Sequence, residues 1–288
     1  MDLFQYDFML RALIGALVIG LAAPSLGVYL VQRRLSLIGD GIGHVALTGV
    51  GVGLLLNQSP VLTAVVVAAV GAIGIELIRE RGRTSGDLAL ALLFYGGIAG
   101  GVVLVGLSDD SSNASLMQYL FGSLITTSPQ DIVVICVLGV AVLVAMTVFR
   151  PALFAVCNDE EYAKVSGLPV RTLNLLMSVT TAVTVTIAMR TVGLLLVSAL
   201  MVVPVAAAQQ VTRGFRSTMA LAMAIGLVAA GAGVVVSAEI DTAPGATTVI
   251  VALVIFMGIA AGGAARRALR RTRHQPREVE PPDVVLQA

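Results

Sequence analysis

The chain has 288 residues, 57% hydrophobic and 12% charged, with a mean hydropathy of +0.96 and no tryptophan. A soluble domain is about 45–50% apolar and about 25% charged, so a cytosolic enzyme, a disordered chain and a disulfide scaffold are all excluded. The apolar runs far exceed the roughly ten residues of a barrel strand, which leaves an all-α, polytopic transmembrane helix bundle. The net charge of +1 averages over segments that face different compartments and says little.

Apolar windows of about 20 residues predict spans over 8–31, 37–56, 60–78, 87–107, 131–149, 172–189, 192–209, 218–237 and 245–264. The first follows Asp2 and Asp7 without the basic start or cleavage site of a signal peptide, so it is expected to stay attached. Segment 116–124 is apolar but too short to cross, which suits a re-entrant or interfacial piece. The count is nine, or eight if a segment within 172–209, broken only by Arg190 and Thr191, folds back. Residues 1–265 then form the membrane domain, and 266–288 a charged tail expected to be disordered.

Charge placement orients the bundle. One set of alternate loops holds Arg33, Arg34, Arg79, Arg81, Arg83, Arg150, Lys164, Arg171, Arg213, Arg216 and the arginine-rich tail. The opposite loops, 57–59, 108–130, 190–191 and 238–244, contain a single arginine. The positive-inside rule makes the tail cytoplasmic and, with nine spans, the N-terminus external. Glycines spaced four apart, Gly96/Gly100, Gly97/Gly101 and Gly258/Gly262, predict close helix–helix contacts, although glycine is also common in membrane helices generally. Cys136 and Cys157 have no metal or redox spacing.

No nucleotide-binding loop and no nucleophile with a base is present. The chain has two histidines, and His274 lies in the tail. His44 follows Asp40 by four residues in a glycine-interleaved run, placing carboxylate and imidazole on one helix face inside a span. Ionisable groups there are costly and point to function. Such a pair suits zinc, manganese or ferrous iron, or else it is a hydrogen-bonded pair that fixes helix packing. Glu76 and Glu80 sit among arginines at a helix end, where local pairing is expected. Asp109 and Asp110 in the longest outer loop, and Glu239 and Asp241 at the outer mouth, are either solvated or dock an external partner. Between two spans on the inner face, residues 158–168 read as a short helix with an acidic start, stopped by Gly167 and Pro169. It is either a connector or an element that fits a groove on a cytosolic protein.

Glu161, Tyr162 and Ala163, followed after three residues by Gly167, resemble the E-A-A-x-x-x-G coupling-helix pattern of ABC importer permeases, with Tyr at the second position. Together with segments 36–44, 116–123, 192–204 and 243–249, they make the chain similar to the zinc/manganese/iron uptake family of these permeases. The stretch 237–243 departs from the family's usual approach to the Pro-Gly-Ala run. The resemblance implies the cobalamin/metal-chelate type of permease fold and a homodimer or pseudo-symmetric pore. It also implies cytosolic ATPase subunits that engage Asp159, Glu161, Ala163 and Gly167, and an extracytoplasmic metal-binding protein. Asp40 and His44 match the family's metal ligands. On this reading the chain is no enzyme and holds no permanent cofactor. A divalent metal is its substrate, nucleic acid is not a partner, and the bacterial cell membrane is its location. The competing readings are a stand-alone secondary metal transporter or channel, which would need more intramembrane carboxylates, and a non-transporting scaffold.

Overall fold

The computed structural model describes residues 7–80, 86–108, 119–122 and 129–273, which contain α-helices and no strand. In chain order the helices are α1 (Asp7–Gln32), α2 (Ile38–Leu55), α3 (Pro60–Glu80), α4 (Gly86–Gly106), α5 (Pro129–Val148) and α6 (Arg150–Asn158). They continue with α7 (Glu160–Val165), α8 (Val170–Val192), α9 (Leu194–Gln209), α10 (Phe215–Ile240) and α11 (Pro244–Arg273). Helices α1–α4, α8, α10 and α11 each contain a segment long and apolar enough to cross a membrane.

A bent helix pair adds either an eighth, broken crossing or a re-entrant segment. Helix α5 bends by 67° into α6, where Pro151 occupies the first turn and cannot donate the backbone bond that a straight helix needs. The expected span 192–209 corresponds to the 16-residue α9 (Leu194–Gln209), shorter than the roughly 20 residues typical of a crossing. The interruption before it is Gly193, at φ +91°, and not Arg190–Thr191, which lie within α8. A Cβ at Gly193 would stand 2.6 Å from the Gly122 nitrogen, so both the left-handed backbone and the close approach require glycine. Helix α9 starts against Phe121 and Gly122, and its other end, at Gln209, shares an inner cavity with Gln32 and Asn158. Helix α11 continues to Arg273, past the expected boundary at 265, and residues 274–288 lie outside the described residues.

Size segregation replaces polarity segregation. On α3, Ala64, Ala68 and Ala72 are fully buried while Leu62, Val66 and Val70 are more than 60% exposed. Lipid solvates large aliphatic side chains as well as a protein core does, so helices associate through the small residues that let backbones meet. One such close contact joins the parallel pair α2 and α4. There a Cβ on Gly97 would sit 2.6 Å from the His44 carbonyl carbon, and Thr48 Oγ1 donates to the Gly97 carbonyl at 2.8 Å. Gly100 and Gly101 line the same contact, whereas Gly96, Gly258 and Gly262 face open space.

The expected Gly97/Gly101 face is therefore a packing seam and Gly258/Gly262 is not one within the described chain. Gly97→Ala should lower the thermal stability of detergent-purified protein by about 1–3 kcal/mol through overpacking. Gly258→Ala should be neutral or stabilising by up to about 1 kcal/mol, because only helix propensity changes. Equal responses of the two variants in a thermal melt would contradict this seam.

Candidate functional site

Helix α2 carries the pair singled out from the sequence. It begins two residues after Ser36, and its buried residues include Gly39, Gly41 and Gly43. Gly39 and Gly43 let α8 and α9 approach: a Cβ on Gly39 would touch the Met201 sulfur of α9 at 3.3 Å, and one on Gly43 would collide with Leu194 of α9 and lie 3.1 Å from Val185 of α8, while Gly41 faces Leu90 of α4. Asp40, half-buried, opens onto a cavity of about 440 Å³ that is also lined by Arg34, Ser36, Leu90, Phe94 and Tyr95. It forms no ion pair among the described residues. One turn on, His44 is 8% exposed, and its Nδ1 is buried without a hydrogen-bond partner. An orphaned buried polar atom costs about 1–3 kcal/mol and calls for an explanation.

Phe94 joins the two. It lines the Asp40 cavity and packs edge-on against the His44 ring, with centroids 4.6 Å apart and planes at 80°. Sequence reasoning passed over Phe94, whose only signal was an aromatic pair ahead of the Gly97/Gly101 seam. Among the described residues no group of three or more His, Cys, Asp or Glu side chains could hold a metal. One copy therefore offers at most one carboxylate and one imidazole here.

The inner face carries the second feature. Asp159 caps α7, accepting from the Tyr162 nitrogen at 2.9 Å, and the acidic first turn with Lys164 in the last complements the helix dipole. Gly167, at φ +80°, ends the turn as its place in the sequence predicted. Ala163 is fully buried beneath the helix, whereas Glu161, Tyr162 and Val165 are exposed, the last two at 68% and 88%. A polar cavity of about 340 Å³ beside α7 is lined by Glu76, Arg79, Glu80, Glu160, Lys164, Arg171 and Asn174. Glu76 pairs with Arg79 at 2.8 Å as expected, and Glu80 with Arg171 at 3.3 Å. Burial pushes the Glu160 carboxyl up, but the Lys164 hydrogen bond and the charges of Arg33, Lys164 and Arg79 outweigh it. The group is held below the usual glutamate range and is ionised at neutral pH.

The remaining sequence candidates lie apart. Glu239 and Asp241 are exposed at the far end of α10, where Asp241 adopts φ +50° as its C-cap. Asp109 and Asp110 lie outside the described residues, as do 116–118 and 123–124 of the short apolar segment. The basic residues Arg33, Arg79, Lys164 and Arg171 cluster at the α7 end of the bundle, as the charge asymmetry of the loops required.

Known proteins resemble the chain along this whole framework. The manganese import system permease protein ScaB of Streptococcus parasanguinis is 32% identical over 88% of this chain and 90% of its own. The high-affinity zinc uptake system membrane protein ZnuB of Haemophilus influenzae is 29% identical over 88% of this chain and 97% of its own. The solved structure of PsaBC from Streptococcus pneumoniae in complex with Fab superposes with a TM-score of 0.80 at 28% identity, covering 90% of this chain and 92% of that one. The family model described as the ABC 3 transport family matches residues 5–262. This multi-pass membrane protein therefore belongs to the ABC 3 transport family of metal ABC importer permeases.

Proposed function

We propose that the chain is the membrane subunit of an importer that moves a divalent transition metal (zinc, manganese or iron) into the cytoplasm. The observation that carries this reading is the Asp40–His44 pair within a span: a carboxylate that lines a cavity and, one turn on, a buried imidazole whose Nδ1 has no hydrogen-bond partner. Relatives named for zinc and for manganese support the same substrate class. Oxygen and nitrogen donors without thiolate accept all three metals, so the pair sets the class and availability sets the ion.

Two copies of the chain would supply two carboxylates and two imidazoles about a two-fold axis, enough for a four-coordinate or partly hydrated ion. An extracytoplasmic metal-binding protein would deliver the ion near Glu239 and Asp241, with Asp109 and Asp110 as further docking candidates. Separate cytosolic ATPase chains would hydrolyse ATP and engage α7 through Asp159, Glu161, Ala163 and Gly167. The site must offset dehydration yet still release the ion, so its access has to alternate with the nucleotide state. A stand-alone transporter would need intramembrane carboxylates to couple ions. Glu76 is already committed to Arg79, which favours an external motor.

Replacing Asp40 and His44 together by Ala should abolish ATP-dependent metal accumulation while membrane insertion and ATPase association persist. Normal uptake by that variant would sink the assignment. Tyr162→Ala, which removes an exposed aromatic from α7, should weaken ATPase binding by about tenfold or more, as loss of an interface anchor does. Unchanged affinity in a pull-down titration would place the ATPase elsewhere.

A further inference from the structure

Arg33 sits where the loop readings placed only an inner-face charge, yet its side chain is 8% exposed. Its Nη1 donates to Asn174 Oδ1 on α8 at 2.7 Å, and its Nη2 donates to Glu160 Oε2 on α7 at 2.8 Å. The other Glu160 oxygen is held by Lys164 at 3.2 Å. Among the described residues, this is the one ion pair that leaves α7 for another element. It joins residues 127 positions apart.

What Arg33 is attached to matters equally. It follows α1 directly and stands at the start of the tight turn into α2. In that turn Arg34 adopts φ +59°, Leu35 N donates to Leu30 O at 2.8 Å and Ile38 N donates to Leu35 O at 3.1 Å. The turn leaves little slack before Asp40 in the first turn of α2. Arg34 and Ser36 from the same turn line the Asp40 cavity. The Arg33 guanidinium is buried while Glu160 is partly exposed, so breaking the pair strands a desolvated charge on the arginine side. Helix α7 therefore cannot be displaced without either drawing the α1–α2 turn after it or breaking this pair.

We infer that Arg33 is a positioning residue that carries displacement of α7 to Asp40 and His44, making the Arg33–Glu160 pair the link between the motor's push and access to the metal. The inference rests on the proposed function, in which α7 receives the ATPase and Asp40 with His44 receives the ion. Asn174 supplies the fixed side of the link, since it sits 5% exposed on α8 and orients the guanidinium toward Glu160. Arg79, paired with Glu76, lends its charge to the same cavity and forms no ion pair with α7 among the described residues.

The test uses the full complex of permease, ATPase and binding protein in proteoliposomes, with Zn²⁺ and Mn²⁺ as probes in separate runs. Metal ions moved per ATP hydrolysed are compared for wild type, Arg33→Gln, Glu160→Gln and the double variant. Each single variant should assemble and hydrolyse ATP within about twofold of wild type while metal moved per ATP falls about tenfold or more. The double variant should be no worse than either single one, because both remove the same link. Glu160 is 38% exposed, so its variant keeps the test open should Arg33→Gln fail to fold. An unchanged ratio in Glu160→Gln, additive losses in the double variant, or losses that track ATPase activity and assembly would each overturn the inference. Wild type that moves no metal with ATP would instead overturn the proposed function itself. Wild-type transport that is lost with Asp40 and His44 but normal in the Gln variants would overturn only the role of Arg33.

Discussion

The cost of placing charge where water is scarce organises this molecule. Within the membrane every backbone group must be bonded inside the chain, which forces helices, and every ionisable side chain must be paired, screened or put to use. The inner end of the bundle pairs its charges: Glu76 with Arg79, Glu80 with Arg171, and Glu160 with both Arg33 and Lys164. Asp40 and His44 stand outside that pattern. Asp40 opens onto a cavity and the buried His44 Nδ1 lacks a partner, and the glycines around them set how closely the other helices can frame the pair.

Close backbone approach is the means by which the site is held. Without a hydrophobic drive between helices in lipid, α2 meets α4 through Gly97, Gly100 and Gly101, and meets α9 through Gly39 and Gly43. Large aliphatic side chains are turned outward on α3 while alanines are buried. The same seam brings Phe94 onto His44, so the packing that builds the bundle also sets the ring against this histidine. The helices break at defined positions: before α6, with Pro151 in its first turn, at Gly193 between α8 and α9, and at Gly167 after α7.

The sequence made much of this legible, because its strongest signals are physical. Hydropathy located the crossings, loop arginines found the inner end, and four-residue spacing placed Asp40 and His44 on one face. Asp159 and Gly167 announced α7 through capping chemistry. Other features depended on tertiary context. The break at Gly193 was misplaced to Arg190–Thr191, since polarity is easier to read than a positive φ. The apolar window 192–209 is trimmed by two residues to α9, because hydropathy does not register that break. The contacts of Arg33 with Glu160 and Asn174, separated by more than a hundred positions, carry no local pattern at all. Nor did any periodicity set Phe94 over His44, because that contact follows from the offset between α2 and α4.

The most direct test of the central claim is X-ray absorption at the zinc edge, combined with metal counting, on the nucleotide-free permease–ATPase complex loaded with Zn²⁺. The account predicts about one ion per two permease chains, bound only by oxygen and nitrogen at about 2.0–2.2 Å, with imidazole scattering that disappears in His44→Ala. One ion bound per chain, a sulfur shell at about 2.3 Å, or imidazole scattering that survives the loss of His44 would contradict it.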